Sequence, residues 1–419
     1  MHNKPKSFMK IKLALSCALC FNSRMSAKRE KIKESQLKGF KYFKAISGML
    51  ETLHSAGCAR DRAGNRILHM DQYMSLILLY MFNPICSSLR AVQQASELKK
   101  VQRKLGCPRA SLGSLSESAR VFDNELMAEI VQNLSGKLRP ISSNTKLDDL
   151  TGILTAVDGS LINALSKMTW ALWKHDQKAI KAHTQFDLSK HVPVRINITD
   201  GKGNEKTVLA ENLEKGRIYV MDRGYASFTL FQDIINAESS FVCRLRDNSV
   251  YKCLEERQLT RDALDAGILF DKTIQPGSDT KTRNLLKNPI RLIAIKCQPH
   301  KKRYKIGRGG PEQGETILIA TDRFDLDADV IALIFKHRWA VETFFNFFKH
   351  ILGCRHLLSE CQNGIELQTY AAIIACMLIA LWTGRKPTLR TYEMLCWYFT
   401  GMADEEELLA HIARLQTQE

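Results

Sequence analysis

The sequence predicts a mixed α/β protein in which a helical N-terminal region precedes a sheet interleaved with helices. Three observations carry that prediction. Apolar residues recur at spacings of three and four in 40–53, 70–81 and 126–134, the period of helices with one buried face. Between 152 and 245 the pattern changes to short runs of strand length, ordered as three strands, a fourth strand, a helix and a fifth strand, which suits a layered arrangement and not a helical bundle. The apolar run from Ala371 to Trp382 is too short to cross a bilayer and reads as a core helix.

With 419 residues, 45% apolar and 25% charged, the chain can bury a sizeable core and is long enough for about two or three domains. Lys and Arg outnumber Asp and Glu by 61 to 44, and the net charge of +17 favours a polyanionic partner, nucleic acid before membrane. The 12 cysteines lie scattered in apolar runs, as free thiols do in a reducing compartment such as the cytoplasm. Cys17 and Cys20 form the one close pair, and without a second pair a zinc site is not expected.

Taken in order, residues 1–36 are an N-terminal extension. Lys4, Lys6, Lys10 and Lys12 precede an apolar run in the manner of a signal peptide, yet Met25 opens an ordinary soluble start, so an over-extended start codon is equally open. Residues 37–147 form the helical region. Within it Lys99, Lys100, Arg103, Lys104 and Arg109 make a basic stretch without an acid, read either as a phosphate-facing turn between helices or as a solvated helix end. The polar, Pro-containing stretch from Arg139 to Asp148 is a linker. Gly152 to Val157 is a strand ending on Asp158; Ala179–Leu188 and Val192–Ile198 alternate as a hairpin; Arg217 to Met221 is a strand ending on Asp222. Ser227–Ala237 reads as a helix and Ser240–Leu245 as a strand. From 246 to 316 turns, short strands such as Arg291–Lys296 and the basic cluster of Lys301, Lys302, Arg303, Lys305 and Arg308 break the rhythm; Thr316–Thr321 is one more buried-type strand.

The stretch Phe335 to Lys349 contains no Pro or Gly and follows Asp325, Asp327 and Asp329, so it predicts a single helix with an acidic start. At about 100° per residue, Phe335, Arg338, Asn346 and Lys349 fall within about 40° of Glu342, while Ile334, Val341, Phe344, Phe348 and Ile351 supply packing. A surface ion pair between Arg338 and Glu342 is the plainer reading of this window alone.

Asp158 and Asp222 at the ends of adjacent buried strands, with Glu342 on a following helix, can converge on one point. Carboxylates that converge raise each other's pKa unless a cation joins them, and hard oxygen donors select magnesium or manganese. Two such ions about 4 Å apart can activate a water or a 3′-hydroxyl and stabilise the leaving oxygen of a phosphodiester. Taken singly, each Asp reads as a turn residue or helix cap.

Asp158-Gly159-Ser160, Asp222-Arg223-Gly224-Tyr225 and the helix carrying Arg338, Glu342 and Lys349 resemble the DDE transposases of bacterial insertion sequences, in particular the insertion-sequence-four family. The resemblance extends through Lys181-Ala182-His183, Ile198 to Lys202 and Thr321 to Leu326 as far as Gln368. Phe335 stands where that family has Tyr, which keeps an aromatic face and loses a hydroxyl donor. The resemblance implies a ribonuclease-H-like mixed sheet in 148–245 and 317–385, a β-rich insertion at 246–316, a helical DNA-binding domain at 37–147 and a C-terminal helical segment at 386–419. It implies that Asp158, Asp222 and Glu342 bind Mg2+, with Mn2+ able to substitute, and that Phe335, Arg338 and Lys349 face DNA. The implied partners are double-stranded DNA, as terminal inverted repeats and target, and a second copy of the chain in the DNA complex; no membrane is implied, and the setting is the nucleoid. Two other readings stay open: a metal-dependent nuclease of the same fold that cleaves without joining, and a decayed or structural DNA-binding protein.

Overall fold

The structure, a computed structural model, describes residues 49–57, 59–62, 64–141, 145–148, 150–164, 167–174, 177–277, 285–296, 316–350 and 357–416. The N-terminal extension and the basic cluster with Lys301, Lys302 and Arg303 lie outside the described residues.

The helices predicted at 70–81 and 126–134 are present as α1 (Met70–Phe82) and α5 (Leu126–Lys137), with α2 (Leu89–Glu97), α3 (Lys99–Leu105) and α4 (Leu112–Val121) between them; most of the predicted helix at 40–53 lies outside the described residues. The basic stretch is therefore not a turn. Lys, Gln, Arg and Leu are all good helix formers, and α3 runs until Gly106, whose φ of 61° supplies the left-handed cap. Lys99, Lys100, Arg103 and Lys104 are exposed on it.

The sheet is built from β1 (Ile153–Asn163), β2 (Leu172–Lys174), β3 (Gln177–Asp187), β4 (Val192–Asp200), β5 (Arg217–Met221), β6 (Ser240–Arg244), β7 (Tyr251–Arg257), β8 (Ile268–Pro276), β9 (Ile290–Lys296) and β10 (Thr316–Thr321). β4, β3 and β1 run antiparallel in that order, and β5 and β6 then follow parallel to β1. An antiparallel trio continued by two parallel strands is the ribonuclease-H-like arrangement. The insertion strands extend this same sheet, because β10 pairs antiparallel with β6 on one side and with β9 on the other, and β8 and β7 follow outward. A buried ion pair secures the extension: Arg291 on β9 donates to both carboxylate oxygens of Asp271 on β8, at 2.9 and 2.6 Å. The same guanidinium donates to the carbonyls of Arg323 and Leu326, fixing the loop that leaves β10.

One face of the sheet is covered by α6 (Glu205–Ala210) and α7 (Phe228–Asn236), with Phe231 stacked on Phe241 at 4.1 Å. The other is covered by α8 (Ala328–His337), α9 (Ala340–His350) and α10 (Gln362–Thr383), after which come α11 (Leu389–Thr400) and α12 (Glu405–Gln416). The N-terminal helices join this second core. Phe82 of α1 packs on Trp382 of α10 with ring centroids 5.6 Å apart, and Tyr392 donates to the Met81 carbonyl at 2.6 Å. The apolar run around 371–382 is long enough as part of α10 to cross a membrane, but it is mostly buried in this core.

Candidate active site

The expected single helix from Phe335 to Lys349 is two. Arg338 and Trp339 form a tight joint between α8 and α9, in which the N–H groups of Arg338, Trp339 and Val341 each donate to the carbonyl three residues back, at 3.2, 3.4 and 3.1 Å. No Pro or Gly is needed, because the joint lets α8 lie near β5 and β6 while α9 turns onto β1. Phe344 of α9 meets Phe186 of β3 at 5.4 Å, which sets the depth of that packing.

β1 also differs from expectation. It does not end on Asp158 but continues to Asn163, held by β3. What ends there is its parallel partner: the β1–β5 pairing stops at Val157 and Met221, so Asp158 and Asp222 are the next residues on neighbouring strands. Alternation along the strands puts both acids on the face occupied by α9, because Ala156 and Val220, two residues earlier, belong to that core. Asp158 and Asp222 thus follow paired positions where β5 leaves the sheet, and α9 brings Glu342 to Asp158 through Arg338.

Arg338 joins these groups. Its Nη2 donates to Glu342 Oε1 at 2.9 Å and its Nη1 lies 3.9 Å from Asp158 Oδ2. The Arg338 side chain is only 10% exposed, against 26% for Asp158 and 33% for Glu342, so it is neither a surface ladder member nor turned outward to phosphates. Burial pushes the Asp158 carboxyl up to about 6; Arg338 and the Gly159 N–H, which donates to Oδ1 at 2.9 Å, pull it down, and Glu342 and Glu205 push it further up. The other side chains expected to face DNA are placed differently. Phe335 is half-buried against the core with its ring 5.9 Å from the Arg338 guanidinium carbon. Lys349 Nζ donates to the Leu161 carbonyl at 2.6 Å, tying α9 to the far end of β1. The α3 cations Lys99, Lys100, Arg103 and Lys104 belong to the N-terminal helices, away from the acids.

The donor set suits a hard divalent ion: carboxylates on two strands and a helix, one of them raised by burial in a way that a cation would relieve. Among the described residues no three His, Cys, Asp or Glu side chains close on one ion position. The Arg338 guanidinium stands between Asp158 and Glu342, 3.9 Å from one and 2.9 Å from the other.

The sequence assigns no role to several neighbours of the site. Glu205, the first residue of α6, sends its carboxylate to Lys181 Nζ at 3.2 Å. Tyr225 is buried beneath the turn that follows Asp222. Beside that turn, a cleft of about 460 Å³ is lined by Arg223, Gly224, Arg246, Asp247 and Asn248, and its two arginines are exposed. His183 Nε2 pairs with Thr199 Oγ1 at 2.8 Å, and burial followed by Lys181 lowers its pKa to about 4, so it is a neutral structural partner.

The sheet is ribonuclease-H-like, with Asp158 and Asp222 following paired positions on parallel strands and Glu342 on a covering helix. The family described as "Transposase DDE domain" matches residues 150–378, and the chain belongs to it. Among its relatives, the y4zB transposase of Sinorhizobium fredii is 26% identical over 55% of this chain and 60% of its own length, so the match spans under two thirds of that protein. The transposase for insertion sequence element IS5377 of Geobacillus stearothermophilus is 22% identical over 65% of this chain and 68% of its own. That for IS4SA of Synechocystis is 22% identical over 64% and 71%. A cryo-EM structure of the piggyBac transposase synaptic complex with hairpin DNA aligns with 90% of this chain and 84% of its own at a TM-score of 0.40 and 11% identity. Domains of this family work with a divalent metal.

Proposed function

We propose that this chain is a DNA transposase that cleaves the ends of an insertion sequence and joins the released 3′ ends to target DNA. The observation that carries the reading is that Asp158 and Asp222 follow the paired Val157 and Met221 on neighbouring strands while Arg338 links Asp158 to Glu342, in a chain of the transposase DDE domain family. The relatives named as transposases for insertion sequence elements support it.

Asp158, Asp222 and Glu342 would hold the metal, Mg2+ with Mn2+ able to replace it; when bound, the ion supplies an activated oxygen nucleophile and charge stabilisation at the scissile phosphodiester. The protein's own part is positional. The β1–β5 register fixes the positions of Asp158 and Asp222, Arg338 balances the charge of Asp158 and Glu342 before loading, and burial under α9 raises the strength of the charge interactions there. The Arg223–Arg246 cleft lies beside Asp222 and suits the phosphates flanking the cut. Recognition of terminal repeats is assigned to residues 37–147, where α3 exposes its cations; a homodimer in the DNA complex and a nucleoid setting complete the reading. The described strands of the insertion extend the sheet, and α11 packs on α1.

The test is cleavage and strand transfer on duplex DNA carrying the element's own ends. Asp158→Ala, Asp222→Ala and Glu342→Ala should each abolish cleavage while leaving end binding nearly intact. Full Mg2+-dependent cleavage in any one of them removes that residue from the site, and cleavage without joining makes the protein a nuclease.

A further inference from the structure

Behind the acids stands a group of residues that the chemistry above does not use. Lys181 on β3 lies 3.2 Å from Glu205 Oε1 and also donates to the Gly203 carbonyl at 3.1 Å, so one ammonium pins the carboxylate and the loop that carries it. A Cβ built on Gly159 would stand 2.6 Å from Glu205 Oε1, and one on Gly224 would stand 3.8 Å from Oε2. Glu205 is therefore wedged between the residue that follows Asp158 and the turn that follows Asp222. It meets the backbone of both segments that present the acids.

A second, independent observation points to the same spot. Tyr225 is 2% exposed, and its hydroxyl has no hydrogen-bond partner among the described residues. Burial and then the charges of Glu205 and Asp158 push its phenol well above the usual range, so the proton stays on the oxygen. A buried O–H donor in the field of two carboxylates and bonded to neither is unfavourable as it stands, and a small closing movement would satisfy it.

Resting on the transposase reading, we propose that Glu205, clamped by Lys181, is a positioning residue of the acidic site, and that the Tyr225 hydroxyl locks onto it when Asp158 and Asp222 hold a divalent cation. A cation drawing those two aspartates together also draws together the two segments between which Glu205 is wedged. The orphan hydroxyl then gains its acceptor. The arrangement is an outer support for metal-holding carboxylates, and such supports set metal affinity as well as rate.

The experiment measures the rise in melting temperature of the full chain on adding Mn2+, together with Mn2+ affinity by titration and end-cleavage kinetics. Tyr225→Phe deletes one oxygen: without Mn2+ it should melt at or above the wild-type temperature, while the Mn2+-induced rise shrinks and affinity falls about tenfold. Glu205→Gln should weaken Mn2+ binding to a similar degree and lower kcat for cleavage with KM for end DNA unchanged. Wild-type Mn2+ affinity in both variants, or a loss of melting temperature that is the same with and without Mn2+, overturns the inference. Should Glu205→Gln fail to fold, Tyr225→Phe decides alone. A wild-type chain that shows neither an Mn2+-induced rise nor cleavage overturns the transposase reading together with this one, whereas a normal wild-type response matched by both variants overturns this one only.

Discussion

Arg338 Nη2, on a side chain only 10% exposed, lies 2.9 Å from Glu342 Oε1, whose side chain is 33% exposed. An exposed pair at this helical spacing contributes about 0.3–0.5 kcal/mol. Here the guanidinium also neutralises Asp158, so its removal leaves two like charges in a partly dry site. Arg338→Ala is expected to cost about 1–3 kcal/mol in urea unfolding at pH 7 without metal. Adding Mn2+ should restore much of that loss, because the ion replaces the missing positive charge. A loss of a few tenths that ignores Mn2+ would return the pair to a surface role.

Asp158 makes metal-free stability depend on pH in an unusual direction. Its folded pKa of about 6 lies above the ordinary carboxyl value, so between about pH 4 and 6 the folded chain binds more protons than the unfolded one. Stability from this group is present below about pH 4 and is lost as pH rises through 6. Asp158→Asn should flatten that part of the profile and raise the metal-free melting temperature at pH 7. Melting curves from pH 4 to 7.5 check this, and an unchanged slope in the variant would assign the effect to other groups.

The Asp271–Arg291 pair anchors the loop before α8. Asp271→Ala leaves a buried guanidinium without its carboxylate and is expected to cost about 3–5 kcal/mol, while the double change Asp271→Leu with Arg291→Met should restore most of the stability. Cleavage should be reduced in the double variant, since the carbonyls of Arg323 and Leu326 lose their Arg291 donor there. Denaturant midpoints and cleavage rates on both variants separate the two effects.

Arg223→Ala and Arg246→Ala are expected to leave the melting temperature unchanged and to weaken DNA binding. The slope of log affinity against log salt should fall by about one unit for each phosphate that the removed arginine had neutralised. A salt slope identical to wild type in both would take the cleft out of the DNA path.

Much of this is legible in the chain because local pattern and tertiary role agree. The run from Arg217 to Met221 reads as a buried strand and is one, and Asp222 ends it as expected. Asp158 is legible as a residue but not as a position, since Gly159, Ser160 and Asn163 are poor strand formers that extend β1 only through pairing with β3. The joint at Arg338 and Trp339 leaves no mark, because nothing in their side chains breaks a helix and the packing of α8 and α9 on different strands decides it. Glu205 looks like an ordinary acid at a helix start; only Gly159 and Gly224, which follow Asp158 and Asp222, hint that something approaches closely there. α3 reads as a turn only when its charge is weighed ahead of its helix-forming composition.

The extension of the catalytic sheet through β10 has a consequence for how the chain is made. β6 emerges from the ribosome with one edge paired to β5 and the other open, and the strand that closes it follows only after a stretch of roughly seventy residues. Phe241, Val242 and Cys243 lie fully buried in the finished protein, so for that interval the nascent sheet offers an apolar, hydrogen-bond-hungry border. Closing so distant a pairing is slow compared with forming the local helices. Nascent chains arrested between β6 and β10 are therefore the species most prone to stick to one another.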